Sequence, residues 1–299
     1  MNTPPAEVAI DAELAARLVS EQHPDLADGL TAGGLTLVAS GWDNTLYRLG
    51  DRLVLRLPRR QVAAELILNE HRWLPAIADR ISVPIPAPLR LGEPTAYYPW
   101  HWTISRWIDG ESAAALRPDE RDPIAASLAA FMNEVHVPAP SEAPRNPVRG
   151  VPLASRAPAV REHLSSGLVK EADKISALWQ RLLTVPAWSG LPLWLHGDPH
   201  PANVLVNRDR GLAELAAVID FGDLTGGDPA TDLAAGWMLF SPQARAVFRA
   251  HLDGVDAATW QRARGWALNM GTSIATNSGD NPRMAAIGAH ALEQVLLDE

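Results

Sequence analysis

Two apolar runs, 191–196 and 204–207, enclose a short polar segment, His196-Gly197-Asp198-Pro199-His200-Pro201-Ala202-Asn203. A third run, 216–219, ends in Asp220-Phe221-Gly222-Asp223. Short runs rich in Val, Leu and Ile read as strands. The turn at 208–211 pairs the second run with the third. Any fold for this chain must therefore place polar residues of defined spacing between and at the ends of adjacent strands. Asp198 and Asn203 lie five positions apart, and Asp220 closes the next strand.

Transfer of a phosphoryl group needs a group that accepts a hydroxyl proton and hard oxygen ligands for magnesium on the phosphates. An Asp suits the first task, and an Asn carbonyl with an Asp carboxylate suits the second. A competing use is zinc, because His196, Asp198 and His200 follow a His-x-Asp-x-His order. That use leaves Asp220-Phe221-Gly222-Asp223 without a role. The Asp-x-x-x-x-Asn spacing and the Asp-Phe-Gly triplet match the catalytic loop and metal motif of protein kinases. With His-Gly-Asp at its start, the segment resembles the aminoglycoside phosphotransferase family, antibiotic kinases that share the protein-kinase fold with choline and macrolide kinases. The resemblance spans about 35–234 and is strongest over 193–232.

The resemblance implies an α+β, two-lobed, protein-kinase-like fold with a small antiparallel β N-lobe and a larger, mostly helical C-lobe. It implies Asp198 as catalytic base, Asn203 and Asp220 as magnesium ligands, and His196 as a structural residue that fixes the loop. The segment Gly227-Asp228-Pro229-Ala230-Thr231-Asp232-Leu233-Ala234 is similar to the family's stretch after Asp-Phe-Gly. Asp228 would cap a helix opening at Pro229, a favourable first helical residue.

Upstream, 8–21 has helical spacing with Asp11 as a candidate N-cap. A glycine-bearing stretch, 28–34, leads to a meander of short strands at 35–39, 45–49 and 53–57. Helical periodicity returns at 62–77, prolines at 84, 86 and 88 stop it, and a strand follows at 103–107. A boundary just after this strand, where Ile108-Asp109-Gly110 ends it, divides an N-lobe, 1–107, from a C-lobe, 108–299. In the second part helices are expected at 123–135, 157–183 (one or two), 229–239, 242–252, 257–274 and 283–297. Residues 138–152 hold five prolines and read as a loop or flexible cover.

A kinase-like N-lobe needs a loop over the phosphates and a cation. Ser40-Gly41-Trp42-Asp43-Asn44-Thr45 falls where the loop belongs, with Gly41, Asn44 and Thr45 as candidate contacts, although Gly-x-Gly-x-x-Gly is absent. The chain has two lysines, Lys170 and Lys174, and none in this half. Arg56 stands where protein kinases place lysine, and its guanidinium suits phosphate. Of Glu65 and Glu70, Glu70 is preferred as its partner. Arg59 and Arg60 are expected to face solvent. The nucleotide base, from ATP or GTP, would bond to backbone near Trp107.

The formal charge of −9 argues against a nucleic-acid partner. No apolar run reaches the roughly 18 residues of a membrane span, and residues 1–10 lack the features of a signal peptide. A cytoplasmic enzyme without a membrane partner is the expectation. There are no cysteines, which excludes disulfides and thiolate chemistry. Asp198 and Asp223 are expected to contribute to a negative cleft for a small, hydroxylated, cationic acceptor. An aminoglycoside is the leading acceptor. A macrolide, a sugar or an amino alcohol is the alternative, and a nucleotide-binding protein with little catalysis is an alternative of another class.

Overall fold

Asp11 opens the first helix, Ala12–Gln22, where its side chain accepts the Leu14 N–H at 2.8 Å. The helix therefore begins four residues later than periodicity suggested, at its cap. A computed structural model describes residues 4–27, 30, 34–209 and 211–298. Most of the stretch 28–34, and Arg210 of the expected 208–211 turn, lie outside the described residues. The chain divides into two compact units, Thr3–Arg80 with Pro84–Asp109, and Gly110–Glu299 with Ile81–Val83.

The first unit is built on five antiparallel strands: β1 (Leu35–Ser40), β2 (Asn44–Leu49), β3 (Leu53–Pro58), β4 (Pro88–Gly92) and β5 (Trp102–Arg106), in the order β1-β2-β3-β5-β4. Alternation along β3 explains its two faces. Leu55 and Leu57 enter a core with Leu18, Val19, Tyr47, Tyr98, Trp100, Trp102 and Ile104. Arg56 between them turns the other way. Asn44, expected just before the strand at 45–49, belongs to β2, so the connecting turn is only 41–43. The Tyr98 hydroxyl donates to the Pro58 carbonyl at 2.8 Å. Burial raises the phenol above its ordinary pKa, which keeps it a donor.

The second unit holds three-stranded and two-stranded antiparallel sheets and most of the helices. β8 (Val204–Asp209) pairs with β9 (Leu212–Val218) and with β6 (Glu111–Ser112), while β7 (Leu193–Leu195) pairs with β10 (Thr225–Gly227). The stretch 157–183 is two helices, Ala157–Ser165 and Ala172–Leu182, and 229–239 is also two, Ala230–Leu233 and Ala235–Leu239. Helix Ala257–Asn277 runs past its expected end and packs against Pro282–Leu297. Among the described residues no helix is long and apolar enough to cross a membrane.

Asp228 is 3% exposed and sits under that long helix. Its Oδ1 accepts the Ala230 N–H at 3.1 Å, but the helix opens at Ala230 rather than Pro229, and Pro229, not Asp228, holds the N-cap position. Its main partner is Arg262, which donates from Nε to Oδ2 at 2.7 Å and from Nη2 to Oδ1 at 3.2 Å. Arg262 also reaches the Pro186 carbonyl and the Thr259 hydroxyl. Removing one partner of such a pair leaves a buried, uncompensated charge. Arg262→Met is expected to destabilise this unit by about 3–5 kcal/mol, read as a lowered urea midpoint, with Arg262→Lys recovering only part of the loss.

Candidate active site

The His-Gly-Asp segment starts where β7 ends. His196 is fully buried, and both ring nitrogens are used internally. Nδ1 accepts the Asp198 N–H at 3.1 Å, which assigns the proton to Nε2, and Nε2 donates to the Ile219 carbonyl at 2.9 Å. The backbone N–H groups of His196 and Gly197 donate to Oδ2 and Oδ1 of Asp232, each at 2.8 Å. Asp232 is also fully buried, and its third contact is His136 Nε2 at 3.1 Å. Gly197 has φ +92°, and a Cβ there would run into the Asp223 carbonyl and side chain. A side chain at this position meets both obstacles, which accounts for the glycine between His196 and Asp198.

Asp198 is half-buried and tied on three sides. Its carbonyl accepts Asn203 Nδ2 at 3.0 Å, its Oδ1 accepts Arg149 Nη2 at 3.0 Å, and His200 Nε2 lies 3.3 Å from Oδ2. Asn203 in turn accepts the Ile219 N–H on its own carbonyl at 2.9 Å. The ends of β8 and β9 therefore hold Asn203 beside Asp220. Asp220 is exposed and has φ +64°, a left-handed conformation uncommon outside glycine. Burial alone would raise the Asp198 carboxyl, but Arg149 and His200 more than offset it and hold it well below the usual carboxylate range. His200 is raised: burial opposes its protonation, and Asp198 overcomes burial.

These contacts exclude the zinc use of the segment. His196 has no nitrogen to spare. His200 gives Nδ1 to the Ala202 N–H at 3.2 Å and Nε2 to Asp198. Among the described residues no group of three His, Cys, Asp or Glu side chains could hold a metal. Magnesium is different, because it is held by one or two protein oxygens together with water and phosphate. With Asn203 Nδ2 bonded to Asp198, its Oδ1 faces the other way, and the exposed Asp220 carboxylate is a second hard donor. The residues present fit that ion.

Arg149 was not singled out in the sequence. It comes from the proline-rich stretch 138–152, which is no flexible cover. Ala139 N–H bonds to Pro192 O, Asn146 N–H to Thr225 Oγ1, and Gly150 N–H to Thr231 Oγ1. Gly150 has φ +66° and lies so close to Gly227 that a Cβ on either would strike the other. The Asn146 side chain accepts the N–H groups of Val148 and Arg149, and donates to Asp223 Oδ1 at 2.7 Å. Arg149 Nε reaches Asp223 Oδ2 at 3.1 Å. The guanidinium stays charged, its pKa raised: burial opposes this, and Asp198, Asp223 and Asp232 prevail. Burial raises the Asp223 carboxyl, as does Asp198, while Arg149 pulls it down. Asp198 and Asp223 were expected to form part of a negative cleft. Instead both are engaged by one arginine.

In the first unit Arg56 Nη1 donates to Glu70 Oε2 at 2.5 Å, with Glu70 buried and Glu65 exposed. With the Asn44 amide turned to satisfy its surroundings, its oxygen accepts Arg56 Nε and Nη2 at 3.0 and 3.1 Å. Arg59 and Arg60 do not simply face solvent. Arg59 Nη1 donates to the Gly41 carbonyl, and Arg60 pairs with Asp43 and reaches the Trp42 carbonyl, so the turn 41–43 is stapled to the end of β3. Thr45 is buried against Ser40. The Trp107 N–H is committed to the Arg52 carbonyl at 2.7 Å, and its indole donates to Asp109.

Asp232 is the second residue that sequence reasoning passed over, although its segment was noted. An amide in its place offers one acceptor oxygen to two backbone donors. Asp232→Asn is expected to lower kcat by about 100-fold, the scale of a misplaced reacting group, with nucleotide KM little changed. Steady-state kinetics on the folded variant checks this.

The model of the Phosphotransferase enzyme family matches residues 34–266. A search of curated proteins finds no match. Among solved structures, the GDP complex of an aminoglycoside 2'-phosphotransferase-IIIa is 20% identical with TM-score 0.69, covering 97% of this chain and 99% of that one. A GDP and kanamycin complex of an APH(2") enzyme is 22% identical with TM-score 0.68, covering 95% and 97%. A macrolide 2'-phosphotransferase type I is 20% identical with TM-score 0.61, covering 95% and 98%. At these identities the likeness is one of fold, and it is the kinase-like fold expected from the sequence. With more than half of its length matched by the family's model, the chain belongs to the phosphotransferase enzyme family.

Proposed function

We propose that this protein transfers the γ-phosphate of ATP or GTP to a hydroxyl group of a small molecule. One observation carries the reading. Asp198, Asn203 and the strand end at Asp220 form one hydrogen-bonded frame, through Asn203 Nδ2 to Asp198 O, Ile219 N–H to Asn203 O, and His196 Nε2 to Ile219 O. In the proposed step the acceptor oxygen bonds to the γ-phosphorus while the bond from that phosphorus to the β-bridging oxygen breaks. The nucleoside diphosphate leaves and the hydroxyl proton passes to Asp198. A carboxyl held at low pKa is a weak base, which suits a loose transition state in which the base mainly orients the hydroxyl. Asn203 and Asp220 would hold magnesium, which neutralises phosphate charge when bound. Arg56, braced by Glu70, would take the triphosphate.

An aminoglycoside is the first acceptor to test, since similar structures include complexes with kanamycin, streptomycin and gentamicin. Resistance to such an antibiotic would then be the cellular consequence. A second reading, an acceptor without several positive charges, is favoured by the engagement of Asp198 and Asp223 with Arg149.

The test is phosphate transfer from ATP and from GTP with magnesium across aminoglycosides, macrolides, sugars and amino alcohols, read by product mass. Asp198→Asn is expected to lower kcat by about 100-fold or more, within the range of general-base loss, while nucleotide binding persists. Undiminished turnover in that variant would overturn the assignment. Arg149→Gln, which removes the positive charge shared by both carboxylates, is expected to shift the acceptor ranking toward kanamycin.

A further inference from the structure

The second unit holds a cavity of about 110 Å³ where the end of helix Ala125–Val135, the start of β7, Pro229 and the turn 252–255 meet. Its apolar wall includes Leu193, Leu252 and Val255. Most polar groups of the wall are spent inside the protein. Asn133 donates from Nδ2 to the His251 carbonyl at 2.9 Å and accepts the Asp253 N–H on Oδ1 at 3.0 Å. The Trp188 indole donates to the Leu191 carbonyl at 3.2 Å, and Thr259 Oγ1 accepts Arg262 Nη2 at 3.0 Å. The Arg262 guanidinium lies 5.6 Å from the centre of the Trp188 ring, but Asp228 answers its charge.

Two wall groups are left. The Asp253 carboxylate is exposed and has no hydrogen-bond or ion-pair partner among the described residues. His136 is the other, with a side chain 9% exposed. Its Nε2 meets Asp232 Oδ2 at 3.1 Å. A carboxylate only accepts, so the ring proton sits on Nε2 and Nδ1 remains an acceptor. No described residue donates to Nδ1, and unlike Nε2 of His23 and His290 it is not shut off from solvent. The access left to this ring is the cavity that it lines. Both unspent groups are therefore hydrogen-bond acceptors, and one of them carries a full negative charge. An occupant that satisfies them has to donate. A dry cavity of about 150 Å³ takes benzene, so this one suits a smaller molecule of about four or five heavy atoms.

We propose that this cavity binds a small organic cation, a primary ammonium on a short aliphatic chain. The ammonium donates to Asp253 and to His136 Nδ1, and the chain lies against Leu193, Leu252 and Val255. The site stands one residue away from the segment that carries Asp198. His136 bonds to Asp232, and Asp232 holds the His196 and Gly197 N–H groups, each at 2.8 Å. A ligand that binds only while His136 and Asp232 are in place suppresses any opening that breaks this pair, by a factor of 1 + [L]/Kd.

Calorimetry on the full-length protein without nucleotide compares n-propylammonium, 1-propanol and propionate, which match in size and differ in charge. Propylammonium should bind about tenfold more tightly than propanol, the scale of a charge-assisted hydrogen bond, and propionate should not bind. Asp253→Asn should bring propylammonium to the level of propanol. Val255→Phe, which fills the cavity, should abolish binding of both. With propylammonium at about ten times its Kd, hydrogen exchange at the His196 and Gly197 amides should slow severalfold, up to about tenfold. Equal binding of the three probes, a preference that survives both substitutions, or unaltered exchange at those two amides overturns the proposal. None of these readouts needs phosphate transfer, so their outcome is separate from that of the kinase reading.

Discussion

Asp232 accepts the N–H groups of His196 and Gly197 on separate oxygens and meets His136 with one of them, all out of reach of water. A buried carboxylate is tolerated only when donors answer it, and here two of those donors are the backbone of the catalytic segment. The side chain that holds the segment stands on the short helix Ala230–Leu233. That helix starts two residues after Asp228, which Arg262 grips from helix Ala257–Asn277. The position of Asp198 is thus transmitted from a long packed helix, through an ion pair and a short helix, to two amide groups. Rigid elements of this kind hold reacting groups more closely than a free loop does.

The first unit solves a related problem with a different residue. A lysine ammonium is a compact charge on a flexible stem, whereas arginine presents a planar fork. Arg56 uses that plane to bridge Glu70 on one side and Asn44 on the other. Arg59 and Arg60 hold the neighbouring turn by the same chemistry. In a chain with lysine nowhere in this half, arginine takes the structural task, and its fixed geometry sets how the proposed phosphate-facing task would be met.

The strands and the polar segment were legible because their signal is local. Alternating apolar residues mark β2, β3 and β9, and Asp198, Asn203 and Asp220 are marked by spacing. Glu70 was preferred over Glu65 by the family resemblance, and Asp11 was marked by capping chemistry. Arg149 had no such signal. It acts across 49 and 74 positions of chain, on Asp198 and Asp223, and only the folding of a proline-rich stretch onto β10 delivers it there. Prolines removed the periodicity by which a segment is read, and looked like a loose cover. Asp232 works across 35 and 36 positions, and Asn44 seemed part of a turn because nothing in sequence shows how early β2 begins. Side chains that work through long-range hydrogen bonds leave no periodic trace.

Net charge also misled in a way that the structure explains. A chain at −9 suggests an acidic cleft, yet charge summed over a surface says little about a site built from a few desolvated groups. Around Asp198 the acidic groups include Asp223, Asp232 and Asp220. Asp232 is spent on backbone amides, and Asp198 and Asp223 share Arg149. Since desolvation strengthens near charges and solvent screens distant ones, Arg149 and His200 outweigh distant surface carboxylates in the field at Asp198.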